Sequence, residues 1–236
     1  EAGLPPKAIN IICGQGADIG RAIVEHPRIP AVSFTGSSAT GKDIASRAGS
    51  QLKRVSLELG GKNAMIVMDD ADLELALEGA LWGAFGTTGQ RCTATSRIIL
   101  HEAIHDEFIQ ELTRRAKEIK VGNGLHDGIQ MGPVINKTQM DRILDYIRIG
   151  QEEDGATLSL GGKTLTDGDY ARGHFIEPTI FTNVKQSMRI AREEIFGPVL
   201  SVIKTKSLDE AVGILNDTEY GLSSSVYTRD INGAFR

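Results

Sequence analysis

Two residues of the 236-residue chain carry side chains suited to covalent chemistry: a thiol at Cys92 and a carboxylate at Glu58. Cys92 lies in Phe85-Gly-Thr-Thr-Gly-Gln-Arg-Cys-Thr-Ala-Thr-Ser-Arg97, where small residues flank the thiol and let its backbone lie close to a ligand. Arg91 and Arg97 would raise the local potential and favour the thiolate, the form that attacks electrophilic carbon. Glu58 comes 34 residues earlier (58 to 92), in Val-Ser-Leu-Glu-Leu-Gly-Gly-Lys-Asn63. A carboxyl between two leucines sits in an apolar setting, which favours the protonated form and suits a general base working near neutrality. Taken singly, each residue has a plain alternative. A lone cysteine is more often structural, and a glutamate before two glycines serves equally well to order a loop.

These groups need a frame. The chain alternates short β-like runs with helical stretches, the pattern of an α/β fold. Ala8–Cys13 reads as a buried strand, with Cys13 as a small core residue, and a helix follows over about 18–25. Ala31–Thr35 reads as a strand, 39–48 as a helix, and Arg54–Glu58 as a strand. Ala64–Met68 is a further apolar run. Asp72 reads as the N-cap of an apolar helix reaching about Phe85, with Trp82 on its core face. A loop over Gly86–Cys92 leads to a strand at Arg97–Leu100. Residues 103–120 form an amphipathic pattern through Phe108, Leu112, Ala116 and Ile119. Helices at about 138–152 and 208–215 and strands at 199–204 and 223–227 complete the reading. Arg114 and Arg115 read as a solvated helix face.

Two glycine-rich turns bear on ligand binding. Gly14-Gln-Gly-Ala-Asp-Ile-Gly20 follows an apolar run and opens a helix, but its spacing is not the ordinary dinucleotide fingerprint. In Phe34-Thr-Gly-Ser-Ser-Ala-Thr-Gly41, Gly36 and Ser37 lead into a helix N-terminus, where exposed N–H groups suit a pyrophosphate.

Composition narrows the classes. Hydrophobic residues make up 40% of the chain and charged residues 24%, as in ordinary globular domains. A formal net charge of -5 argues against nucleic-acid binding. The apolar runs are too short for a membrane span. Two cysteines do not make a disulfide scaffold, so both read as free thiols in a reducing, cytoplasmic setting. The opening EAGLPP reads as the tail of a helix and the closing DINGAFR as one just begun, which suggests a partial chain.

The segment LELGGKNA at Leu57–Ala64 resembles the glutamate signature of the aldehyde dehydrogenase superfamily, and FGTTGQRCTATS at 85–96 resembles its cysteine signature. Glu193-Glu-Ile-Phe-Gly-Pro-Val199 resembles that family's nicotinamide-ribose loop, and 34–41 its cofactor turn. The resemblance implies an aldehyde-dehydrogenase-like α/β fold: the second half of a Rossmann-like NAD(P)-binding domain over 1–57, and an α/β catalytic domain over 58–236. It implies an active site in the crevice between them. It also implies that Cys92 attacks the aldehyde carbon, that the Cys92 N–H supplies half of an oxyanion hole, and that Glu58 activates water to hydrolyse the resulting thioester. NAD or NADP would be held by Gly16, Gly36, Ser37, Gly41, Leu59, Glu194 and Phe196, with no metal. The full-length enzyme would be a homodimer or homotetramer acting on a small-molecule aldehyde. The wording around Cys92 is similar to semialdehyde dehydrogenases, including 2-oxoglutarate semialdehyde enzymes. Arg91 or Arg97 would then meet a substrate carboxylate or phosphate. The family's oxyanion asparagine, adenine-ribose lysine and coenzyme-selecting residue lie before the start of this chain, so little activity is expected of the 236 residues alone.

Two other readings stay open on sequence. One is a catalytically inactive fragment acting as an assembly or binding module. The other, more remote, is a zinc peptidase through His101-Glu102-Ala-Ile-His105, which matches H-E-x-x-H but sits where a strand passes into a helix.

Overall fold

The computed structural model describes residues 3–5 and 7–235. They fall into two compact units, Glu1–Gly60 and Gly61–Arg236.

In the smaller unit a single wide turn, Gly16–Gly20, runs into α1 (Arg21–Glu25), then β1 (Ala31–Thr35), α2 (Ser38–Gly49) and β2 (Arg54–Glu58). β1 and β2 pair in parallel, Ala31 opposite Arg54 through Thr35 opposite Glu58. Both strands alternate exposed with half-buried positions, so the sheet covers one face only. That face meets α1 and α2 through a small cluster of Val24, Ile44 and Ala48 with Val32, Phe34, Val55 and Leu57. The Lys53 amine caps the end of α1, donating to the carbonyls of Val24 (2.5 Å) and His26 (2.7 Å).

The expected strand at Ala8–Cys13 is not formed. The run is irregular and exposed, with Ile11 at 87%, and Cys13 is exposed rather than packed. An apolar run becomes a strand only beside an unpaired strand edge, and among the described residues none pairs with it.

In the larger unit a six-stranded sheet runs β10-β3-β4-β9-β8-β5, from β3 (Ala64–Val67), β4 (Arg97–His101), β5 (Thr157–Leu160), β8 (Thr179–Thr182), β9 (Val199–Thr205) and β10 (Ser224–Tyr227). Only the β5–β8 pair is antiparallel. A short β6–β7 pair (Thr164–Leu165, Phe175–Ile176) stands apart. β3 and β4 are buried along both faces, as strands between helical layers must be. On one face α3 (Leu73–Phe85) and α4 (His105–Lys117) pack over Val67, Ile98, Leu100 and Val202. A second cluster joins α5 (Lys137–Glu152) and α6 (Arg189–Arg192) to β7, β8 and β9. On the other side of β3 and β4, α7 (Leu208–Asn216) covers Ile66 and Ile99. A last turn, α8 (Ile231–Ala234), follows β10.

The helix ends follow their sequence signals. Asp72 accepts from the Leu75 N–H at 3.2 Å, Asn136 from Gln139 at 2.9 Å, and Ser207 from Glu210 at 3.2 Å. Trp82 is the exception to the pattern on α3. It is 64% exposed, and its ring lies 5.3 Å under the Arg91 guanidinium instead of entering the core. Arg115 and Arg114 are surface cations paired with Glu111, Glu74 and Glu118. Among the described residues no helix is long and apolar enough to cross a membrane.

Candidate active site

Cys92 stands at the end of an unusual loop. Thr87, Thr88 and Gly89 adopt successive left-handed conformations, with φ of 54°, 60° and 64°. Two β-branched residues in that region store strain, on the order of 1–3 kcal/mol each. The surroundings hold them there. Thr88 Oγ1 donates to the Gly132 carbonyl at 3.0 Å, and the Gln90 amide bridges to the 133–135 backbone, accepting from Ile135 N–H at 3.0 Å. Gly89 lies against the Gly197 carbonyl so closely that a Cβ would overlap it. The cysteine loop thus packs backbone to backbone on the Glu193–Val199 segment.

The other flank of the thiol is set by the residues after Gly60. Asn63 is buried, and its amide donates to the carbonyls of Cys92 (2.6 Å) and Ala94 (3.0 Å). Asn63 Oδ1 accepts from the Ser223 N–H at 3.1 Å. A Cβ on Gly61 would meet the Cys92 carbonyl at 2.6 Å, so only glycine fits. Gly61 N–H donates to Glu194 Oε1 at 3.0 Å. Three sequence motifs, from 61–63, 86–92 and 194–197, therefore meet within the larger unit. Cys92 is half-buried there. Phe196 is half-buried too, in a left-handed conformation with φ of 58°.

In the smaller unit the other candidates gather at the end of β2. Gly36 N–H donates to the Glu58 carbonyl at 3.0 Å, and Ser37 caps α2 by accepting from Thr40 N–H at 3.3 Å. Gly41 is buried under Leu59, with no room for a Cβ. Gly16 lines a different feature, a cavity of about 650 Å³ that it shares with Phe34, Thr40, Ile44 and Arg47. The apolar setting expected for Glu58 is not found. Leu57 and Leu59 are half-buried, but Glu58 is exposed, because alternation along β2 turns its side chain away from the face that α2 covers.

Arg97 also departs from expectation. It is 1% exposed, and its guanidinium donates to the carbonyls of Lys62 (3.0 Å), Ile214 (3.2 Å) and Leu215 (3.2 Å) and to Gln186 Oε1 (3.2 Å). Burial lowers its pKa to about 10. Its donors are spent on protein carbonyls, so it does not meet a substrate. Lys62 is buried beside it, and among the described residues its amine has no hydrogen-bond partner. Desolvation, with the Arg97 charge second, brings that amine down to about 7.

His101 ends β4 and His105 begins α4. His101 Nε2 lies 3.1 Å from the Lys206 carbonyl, and His105 Nδ1 lies 2.7 Å from Asp106. A zinc-peptidase pair requires one continuous helix, which this strand-to-helix junction is not.

Residues 1–236 match the family described as the aldehyde dehydrogenase family. The chain belongs to that family. It is 47% identical over 231 residues to the alpha-ketoglutaric semialdehyde dehydrogenase of Bacillus subtilis (strain 168), covering 98% of this chain and 47% of that protein. It is 47% identical over 236 residues to a betaine aldehyde dehydrogenase of Mesorhizobium japonicum, covering 100% of this chain and 48% of that one. A crystal structure of betaine aldehyde dehydrogenase from Staphylococcus aureus in complex with NAD+ superposes with a TM-score of 0.95 at 43% identity, over 99% of this chain and 46% of that one. The chain thus spans about half the length of the curated relatives it matches. Sequence reasoning found the family. It did not find Asn63, whose place directly after Gly-Gly-Lys was the only signal available.

Proposed function

We propose that this chain carries the nucleophile and base of an NAD(P)-dependent aldehyde dehydrogenase that oxidises an aldehyde or semialdehyde to a carboxylate. The observation that supports it best is the junction at Cys92, where the carbonyl after a half-buried thiol is fixed by Asn63 and the preceding loop rests on Gly197.

The Cys92 thiolate adds to the aldehyde carbon, and its backbone N–H stabilises the developing oxyanion of the thiohemiacetal. Nicotinamide, when bound, supplies the hydride acceptor. Loss of hydride from the thiohemiacetal carbon leaves a thioester on Cys92. Glu58 takes a proton from water, the hydroxide adds to the thioester, and the carboxylate departs as the Cys92 thiolate is released. Exposure of Glu58 suits a base that trades protons with water. Within the smaller unit, a capped helix N-terminus with Gly36 and Ser37 and a cavity of about 650 Å³ lined by Gly16 fit part of a dinucleotide; within the larger unit, Glu194 supplies a carboxylate suited to a ribose hydroxyl. Gly41 and Leu59 in the smaller unit, and Phe196 in the larger, are the further residues proposed to hold the cofactor. The full-length protein would be a homodimer or homotetramer.

For the substrate we favour an acidic semialdehyde. Arg91, adjacent to Cys92 in sequence and stacked on the exposed Trp82 ring, is a cation that would suit a carboxylate and repel a quaternary ammonium. The name of the Bacillus subtilis relative agrees with this choice, whereas betaine aldehyde is cationic.

The test is absorbance at the reduced-nicotinamide band, with NAD or NADP and a panel of acidic, neutral and cationic aldehydes, on the polypeptide in its full natural length. The acidic semialdehydes should lead the panel, and Cys92→Ala should lower turnover about 10⁴-fold or more. Turnover that survives Cys92→Ala removes the mechanism, and a preference for betaine aldehyde removes the substrate class. The 236 residues alone should turn over little while Cys92 still reacts with a thiol probe. A defined oligomer without a reactive Cys92 would instead favour a non-catalytic assembly module.

A further inference from the structure

Four consecutive residues of the candidate cofactor loop, Glu193 to Phe196, are each held by the same face of α5. Gln139 Nε2 donates to two carbonyls, Ile195 at 2.9 Å and Phe196 at 3.0 Å. Arg142 donates to the Glu194 carbonyl at 2.8 Å. The Tyr146 hydroxyl donates to Glu193 Oε2 at 2.7 Å. These three residues stand at i, i+3 and i+7, one stripe of a helix. The helix is anchored at its start by the Asn136 cap, which binds the Gln139 N–H.

The loop needs such support. Phe196 has φ of 58°, a conformation that bulky side chains rarely adopt. In an unsupported loop this residue would relax to negative φ. The peptide planes around it would turn, and the Glu194 carboxylate would leave the Gly61 N–H. The two Gln139 bonds fall on the carbonyls of the two peptide planes that flank the Phe196 Cα, so they fix the orientation of both planes. The Tyr146 ring lies 5.7 Å from the Arg142 guanidinium and 5.8 Å from that of Arg189, and Arg189 also binds Glu193. The stripe is thus braced at both ends.

We infer that Gln139 is a positioning residue for the dinucleotide: it holds Phe196 left-handed and so aims Glu194 and Phe196 at the nicotinamide-ribose side of the site. This rests on the proposed role of Glu194 and Phe196, while the clamp itself can be tested without it.

The experiment compares the wild-type polypeptide, in its full natural length, with Gln139→Met, which keeps length and packing but has no donor, and Gln139→Glu, which faces both carbonyls with a charge. Three quantities are read: amide hydrogen exchange of the segment 193–199, NADH affinity by nicotinamide fluorescence, and the rate of Cys92 alkylation by iodoacetamide. In Gln139→Met the segment should exchange about tenfold faster, and Gln139→Glu should exceed that, since two part-buried acceptors lose their donor. NADH affinity should fall about tenfold, while Cys92 alkylation and the melting midpoint stay near wild type. A residue serving only to fill space would leave Gln139→Met unchanged in all three. Unchanged exchange in both variants overturns the clamp. Faster exchange with unchanged NADH affinity overturns the positioning role. If wild type itself binds no NADH, the dinucleotide reading of the loop fails, and with it the positioning role, while exchange still judges the clamp.

Discussion

The two units treat their candidate residues differently. In Glu1–Gly60 the sheet has two strands, each exposed at alternate positions, and its buried cluster is Val24, Ile44 and Ala48. In Gly61–Arg236 the sheet has six strands, and β3 is buried at every position. Gly16, Gly36, Ser37 and Glu58 therefore stand exposed on a thin frame. Cys92, Glu194 and Phe196 are half-buried on a thick one. A nucleophile that must meet one carbon atom gains from rigid neighbours, whereas groups that lie along an extended ligand can be presented from a surface.

The largest effect separating the two is on stability. Leu100 is fully buried between α3, α4 and the sheet, so Leu100→Ala should cost about 2–5 kcal/mol through lost transfer and a residual cavity. Val55 is half-buried in β2, and Val55→Ala should cost under about 1 kcal/mol. Paired denaturant titrations measure both. Equal losses would mean that the thin unit is as tightly packed as the thick one.

The next effect lies within the thick unit. Asn63 joins the segment after Glu58 to the carbonyls around Cys92, and its loss strands two buried acceptors. Asn63→Leu should slow Cys92 alkylation or turnover about 10–100-fold, with a smaller change in melting, because a misplaced thiol costs more in rate than in stability. A matching change made at the thin frame, Ser37→Ala, should cost no more than about 1 kcal/mol of helix stability. If Asn63→Leu leaves the thiol as reactive as before, the rigid neighbourhood of Cys92 does not matter to it.

Much of this was legible in the sequence, and most of the failures share one cause. Periodicity located α4, apolar runs the covered strands, the Asp72 cap the start of α3 and a Gly/Ser turn that of α2, and the motif segments led to the family. Ile9 to Ile12 failed because apolar composition does not reveal whether a strand edge is available. Trp82 failed because its apolar side chain was given more weight than its place four and eight residues after Glu78 and Glu74, on the exposed face of α3. Arg97 follows Cys92 closely in sequence, yet it opens β4 and binds carbonyls 35, 117 and 118 residues away. Asn63 and Gln139 bind partners 29 to 160 residues distant. Spacing within a motif says which residues are near, and nothing of which carbonyl they face.

Lys62 provides the finest distinction between the units, since only a thick core can hold an amine without a partner. In the folded chain its pKa is about 7, against 10.5 for an ordinary lysine, chiefly from desolvation. Below pH ~7 the amine is charged in both folded and unfolded chains, and the full cost of burying a cation is felt. Between ~7 and ~10.5 the unfolded chain keeps the proton and the folded chain sheds it, so stability climbs with pH by up to ~1.4 kcal/mol per unit. Lys62→Met fills the same space without the charge. It should stabilise the protein at pH 7, and the advantage should fall by about 3 kcal/mol between pH 7 and pH 9.5. Titrations of groups that do not feel the Lys62 charge cancel in the difference; Arg97, Glu193 and Glu194, which do, are its coupled neighbours. Denaturant midpoints for both proteins at the two pH values decide the matter. Parallel pH profiles would mean that Lys62 keeps its proton on folding, and that the thick unit admits water or a counter-charge at its centre.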